Sequence, residues 1–202
     1  MPLPNFAHLQ AQPDLLLDWL DSNILISQNP NNGGLGAQWM TIVPYIHPYA
    51  GPATGTDKYG HACGVYEITT LGANAGNGLR SFICNYAPGV VHQETLTVHG
   101  DYCFTAAMNG CTFGVGPNVG GQVTVAHANS GGATGLQRAQ VAGVVGPLAG
   151  AKVLEPAAYR HLAPGLTATT FGVRTGANWN FYFQSYKSVG TPAYQTLGVM
   201  PI

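Results

Sequence analysis

From Gln38 to Lys187 the chain is interrupted at short intervals by clusters of Gly, Pro, Asn and Asp, and the runs between them are rich in Val, Ile, Thr, Tyr and Phe. This punctuation favours strands and tight turns over helices. Gly and Pro break the helical ladder, and β-branched and aromatic side chains suit a pleated surface. The runs predict strands at about 38–46, 63–71, 80–86, 94–99, 103–108, 111–115, 122–128, 167–174 and 179–188. Residues 13–25 read as a helix, with Pro13 and Asp14 in its first turn and an apolar stripe of Leu15, Leu16, Trp19 and Leu20. Residues 136–145 and 156–162 carry helical patterns, and Gln28 to Gly36 (QNPNNGGLG) reads as loop. No internal repeat or linker divides the chain, so residues 1–202 are expected to form one domain, a β-sandwich or barrel-like core with a few helices outside.

Only 7% of the residues are charged, against about 25% in average soluble domains. The surface must therefore be covered by Gly, Ala, Thr, Asn and Gln, and recognition must rest on shape and short-range contacts. Net charge is −1, and the seven basic residues are scattered between Lys58 and Lys187, which argues against nucleic acid as a partner. No run of 18 apolar residues suggests a membrane span. The opening Met1-Pro-Leu-Pro-Asn5 has neither the basic start nor the apolar core of a secretory signal. The expectation is a protein that is cytoplasmic in its producer or exported by a non-classical route. The four cysteines, Cys63, Cys84, Cys103 and Cys111, are expected to be free thiols.

The stretch with most chemical content is Thr105-Ala-Ala-Met-Asn-Gly110-Cys111, followed by the turn-rich Phe113 to Gly121 (FGVGPNVGG) and by Val-Thr-Val-Ala-His127. A cysteine attacks as its thiolate, and a nearby imidazole makes that thiolate available at neutral pH. A hairpin centred near Val119 would set Cys111 directly opposite His127, with Cβ atoms ~4.5–5.5 Å apart. Asn109-Gly110 is a strong turn signal that would return Thr105 toward the site and expose the thiol at the bend. Backbone N–H groups at Gly110, with the Asn109 side chain, are candidate oxyanion donors, because glycine permits close approach of a carbonyl.

The Thr-x5-Cys pattern followed by His resembles the glutamine deamidases that comprise the cytotoxic necrotizing factor catalytic domain, the Burkholderia-type lethal factor and the chemoreceptor deamidase. The glycine before Cys111 looks like the toxin branch. That branch typically has Leu-Ser-Gly-Cys where this chain has Met108-Asn109-Gly110-Cys111. The likeness spans residues 94–128 and, more loosely, 167–188, where Gly172-Val-Arg-Thr-Gly176 and Phe181-Tyr-Phe-Gln184 are similar to a late strand pair of the lethal factor. The resemblance implies Cys111 as nucleophile, His127 as general base and acid, and Thr105 as the residue that orients the imidazole. It also implies an α+β fold, a mixed β-sheet sandwich with a few flanking helices. The implied reaction is conversion of a specific glutamine of a target protein to glutamate, with no metal or organic cofactor. Implied targets are host regulatory proteins such as a small GTPase or a translation-initiation helicase, met as a monomer in a target-cell cytoplasm.

Simpler readings compete. A lone cysteine is most often a buried structural thiol, and a histidine in an apolar strand is most often a core residue. Cys84 and Cys103 read as core, as does the run Trp179, Phe181, Tyr182 and Phe183. His92 and His99 bracket a strand, and either can replace His127 as base. His61-Ala-Cys63 is too sparse for zinc. The alternatives are a non-catalytic β-sandwich binding module, or a transglutaminase or peptidase using the same Cys–His pair. The basic residue nearest the motif in sequence is Arg138. Little therefore suggests a holder for the α-carboxylate of a free amino acid, and a folded protein is the expected substrate.

Overall fold

The computed structural model describes residues 5–27, 36–71, 78–131, 133–147, 150–161, 163 and 165–202. Most of the loop read at Gln28 to Gly36 lies outside the described residues. The chain opens with α1 (Phe6–Ala11), α2 (Leu15–Asp21) and β1 (Asn23–Ile26). Next come β2 (Gln38–Pro44), β3 (Ile46–His47), β4 (Gly51–Pro52), β5 (Thr54–Thr56), β6 (Ala62–Thr70), β7 (Leu79–Cys84), β8 (Val91–Leu96) and β9 (Tyr102–Thr105). The rest is β10 (Thr112–Val115), β11 (Val123–Ala128), α3 (Thr134–Val145), β12 (Lys152–Leu154), α4 (Pro156–Arg160), β13 (Thr167–Thr175), β14 (Asn178–Gly190) and β15 (Ala193–Pro201).

The expected α+β sandwich with flanking helices is overturned. Strand accounts for 50% of the structure and helix for 17%, and eight strands close into a barrel in the order β6-β2-β7-β9-β13-β14-β15-β5 and back to β6. The closing piece is β5, three residues long, which pairs parallel with β15 and antiparallel with β6. Its middle residue must be glycine, since a Cβ at Gly55 would fall 2.8 Å from Val65 Cγ2 and 2.9 Å from Cys63 Sγ. A Thr-Gly-Thr tripeptide carries almost no strand signal, so closure was not readable from pattern.

The helix expected over 13–25 is shorter. It ends at Asp21, where the Asn23 side-chain amide donates to the Trp19 carbonyl at 2.8 Å. Asn23–Ile26 instead pairs parallel with β6. Side chains contribute on its other edge: the Gln184 carboxamide accepts from Leu25 N at 2.9 Å and donates to the carbonyls of Leu20 at 2.7 Å and Asn23 at 2.6 Å. The apolar run Ile24-Leu25-Ile26 thus supports a buried strand as well as it supports a helix, and tertiary pairing decides.

A second, antiparallel sheet has the order β12-β10-β11-β8. One of its faces carries Ala126 and Ala128, which pack on Val141 and Val145 of α3. Gly114 permits this contact, because a Cβ there would lie 2.1 Å from Val141 Cγ1. The other face, with Leu96, Phe113, Val115, Val123 and Val125, packs against Phe82, Cys103, Trp179, Phe181 and Phe183 of the barrel wall. Alternate residues of the same wall, including Ile83, Tyr102, Phe104, Phe171 and Val173, turn away from this sheet and gather Leu9, Leu16 and Leu20 of α1 and α2. Among the described residues no helix is long and apolar enough to cross a membrane.

Candidate active site

Cys111 stands immediately before β10, and His127 is the penultimate residue of β11. The two strands are antiparallel neighbours. Gly120 and Gly121, with φ of +61° and +82°, form a tight turn closed by reciprocal hydrogen bonds between Val119 and Gln122, at 2.9 and 3.1 Å. Positive φ at both central residues is the hairpin geometry that glycine adopts most easily. The turn therefore lies one residue later than the expected centre, and the register differs accordingly. Phe113, not Cys111, is directly opposite His127. Strand alternation still puts Cys111 on the Phe113 and His127 face, away from the Thr112 hydroxyl that points to α3. Continued regularly, this register sets the Cα atoms of Cys111 and His127 one diagonal step apart, roughly 7–8 Å, while the imidazole ring itself sits beside Tyr86 and across from His92.

Two helices hold the loop before Cys111. Tyr159 of α4 accepts from Gly110 N at 2.8 Å and donates to the Cys111 carbonyl at 3.1 Å. Gln137 of α3, fully buried, donates to the Gly110 carbonyl at 3.0 Å and accepts from Thr112 Oγ1 at 2.7 Å. Gly110 has φ +102°, which the Asn-Gly turn signal anticipates. Its N–H, expected to face an oxyanion, is committed to Tyr159. Asn109 is exposed, and its side-chain oxygen accepts from Arg160 Nη2 at 2.5 Å, which leaves its NH2 group uncommitted.

The Cys111 thiol is held above its ordinary pKa by burial, opposed by the Asn109 backbone amide and by the Arg160 charge. Its residue is 4% exposed. His127 is fully buried, and burial drives its pKa down to about 4, with His92 as a further lowering influence. Both ring nitrogens lack a hydrogen-bond partner. The backbone carbonyls of Cys84 and Asn85 lie close enough to favour the protonated ring without hydrogen-bonding to it. Tyr86 flanks the ring at a centroid distance of 5.8 Å. At neutral pH the resting pair is a thiol and a neutral imidazole.

Thr105 is not brought to the imidazole. At the end of β9, its hydroxyl donates to the Thr170 carbonyl at 3.4 Å and accepts from Thr170 N at 3.3 Å, joining β9 to β13. His92 faces His127 directly across β8 and β11, and its Nε2 is buried without a partner. His99 lies on an exposed turn. All four cysteines are free, and Cys84 and Cys103 are buried in the core. Among the described residues no group of three His, Cys, Asp or Glu is placed to hold a metal ion.

Sequence reasoning missed Gln137, Tyr159 and Arg160, which reach the motif from 25 to 51 residues away. The one signal was a polar Gln at a position of α3 that faces inward. Arg138, the basic residue closer in sequence, is instead paired with Glu155 at 2.9 Å. Compared with protein-family models and with curated proteins, the chain matches none.

Proposed function

We propose that the protein hydrolyses the side-chain carboxamide of a glutamine in a protein substrate, with Cys111 as nucleophile and His127 as general base and acid. One observation carries this reading: on the sheet face that holds Cys111, one diagonal step away, lies a buried, neutral imidazole with both nitrogens unpartnered. Neither nitrogen is committed to another group, although burial makes the ring a weaker base than a free imidazole. Catalytic hydrogen bonds are commonly long before substrate binds and tighten in the complex.

His127 removes the thiol proton as Cys111 sulfur attacks the carboxamide carbon, forming a C–S bond and a tetrahedral oxyanion near Asn109. The oxyanion collapses, the C–N bond breaks, and the proton on His127 leaves with the nitrogen as ammonia. Water, deprotonated by His127, then attacks the thioester carbon. The C–S bond breaks, the product is a glutamate side chain, and the proton returns to sulfur. A raised thiol pKa suits proton removal at the moment of attack and not a preformed ion pair.

The test is incubation with candidate proteins, beginning with small GTPases and a translation-initiation helicase. Expected are ammonia release and a mass gain of about 1 Da at one glutamine, both lost in Cys111→Ser and His127→Ala. Full activity in Cys111→Ser would end the proposal.

A further inference from the structure

Arg160 differs from the other arginines of this sparsely charged chain. Arg138 and Arg174 are paired with the carboxylates of Glu155 and Asp101, and Arg80 lies over the Trp39 ring. Arg160 is exposed, and among the described residues it has no carboxylate partner. Its hydrogen bond goes to the neutral Asn109 side chain. A guanidinium has five N–H donors in a planar fork, so that single bond leaves donors for a second group. Neighbouring contacts bring Arg160 to the loop before Cys111. α4 begins at Pro156, Tyr159 of the same helix is locked to Gly110 and Cys111, and Arg160 Nη1 lies 3.6 Å from where a Cβ on Gly110 would be. The charge therefore stands over the backbone that presents the thiol. His127, fully buried with both ring nitrogens unpartnered, lies on the same sheet face as Cys111.

We infer that Arg160 makes the Cys111 site selective for a substrate with an anionic group beside the reacting carboxamide, such as a glutamine next to an aspartate or glutamate. The reaction part of this inference rests on the amide-hydrolase reading, whereas the charge selection rests on the placement of Arg160. A planar carboxylate matches the guanidinium fork in two parallel hydrogen bonds, which the Asn109 carbonyl oxygen alone does not. An incoming carboxylate that replaces Asn109 on Arg160 also releases the Asn109 side chain toward the developing oxyanion.

The deciding experiment compares alkylation of Cys111 in the native protein by iodoacetate, an anion, and iodoacetamide, its neutral analogue, read by peptide mapping. Both reagents react with the same thiolate, so the ratio of their rates cancels the thiol pKa and isolates the local field. Relative to the ratio for 2-mercaptoethanol, the Cys111 ratio is expected to favour iodoacetate by ~5-fold at low salt, and to lose this preference as ionic strength rises. Arg160→Gln should bring the ratio to that of the model thiol, and Arg160→Glu should take it below. A wild-type ratio equal to that of 2-mercaptoethanol, or one unchanged in Arg160→Gln, overturns the inference, and the salt dependence keeps it testable if either variant fails to fold. Ammonia release from matched glutamine peptides with Glu or Ala as neighbour separates the two readings. Anion-favouring alkylation with no hydrolysis of any peptide or protein defeats the hydrolase reading and leaves charge selection standing. Equal hydrolysis of both peptides leaves the hydrolase reading standing and defeats charge selection.

Discussion

At Cys111, burial disfavours the thiolate while Arg160 and the Asn109 amide favour it. At Cys63, burial and the neighbouring Asp57 charge act together and raise the pKa to about 11. Cys84 and Cys103 are fully enclosed. Iodoacetamide at near-neutral pH is therefore expected to label Cys111 first, Cys63 next, and the other two only on unfolding. Faster labelling of Cys63 would show that exposure outweighs charge at this site. Thr105 has a structural role, because its hydroxyl bridges two strands through Thr170. Thr105→Ala is expected to cost on the order of 1–3 kcal/mol in denaturant unfolding, since it leaves buried backbone groups unpaired, with activity per folded molecule unchanged. A specific loss of kcat in a fully folded Thr105→Ala protein would return Thr105 to the mechanism.

At the scale of elements, the strand pattern was largely legible. Most of the runs expected from alternation coincide with strands to within a few residues, because Gly, Pro and Asn clusters mark their ends. The runs that escaped were β1, expected as the end of a helix, and β4, β5, β12 and β15, where short length or polar and glycine content hides the period. The hairpin that carries the site was also legible, but its register was not. A shift of one residue in the turn moves the residue opposite His127 from Cys111 to Phe113. The presentation of Cys111 then depends on α3 and α4. Tyr159→Phe removes one acceptor and one donor from the loop, and is expected to lower stability by about 1–3 kcal/mol. Activity should fall further than the loss of folded protein explains, because Arg160 and Gly110 lose their common anchor. Retained kcat/KM in this variant would show that Gln137 alone holds the loop.

For the whole molecule, Gln184 is a polar link between the barrel wall and the N-terminal segment, with three hydrogen bonds to buried backbone. Gln184→Met keeps the volume but orphans all three groups. It is expected to lower the melting temperature by roughly 6–12 °C, taking about 3 kcal/mol and the usual slope for a chain of this size. His127 gives the molecule an acid-sensitive element. Its pKa falls from 6.5 to about 4 on folding, so the stabilisation is complete above pH 6.5 and is lost as pH drops toward 4. The loss amounts to about 3 kcal/mol, and a denaturation series across this range should show it in the wild type and not in His127→Leu. Composition and pattern by themselves determined a strand-rich, weakly charged chain with a Cys–His pair on neighbouring strands, because alternation and turn residues act over a few positions. Barrel closure through Thr54–Thr56, the change of Asn23–Ile26 from helix to strand, and the arrival of Gln137, Tyr159 and Arg160 at Cys111 were decided only by tertiary structure. Each depends on contacts between segments far apart in the chain, which leave no local periodicity to read.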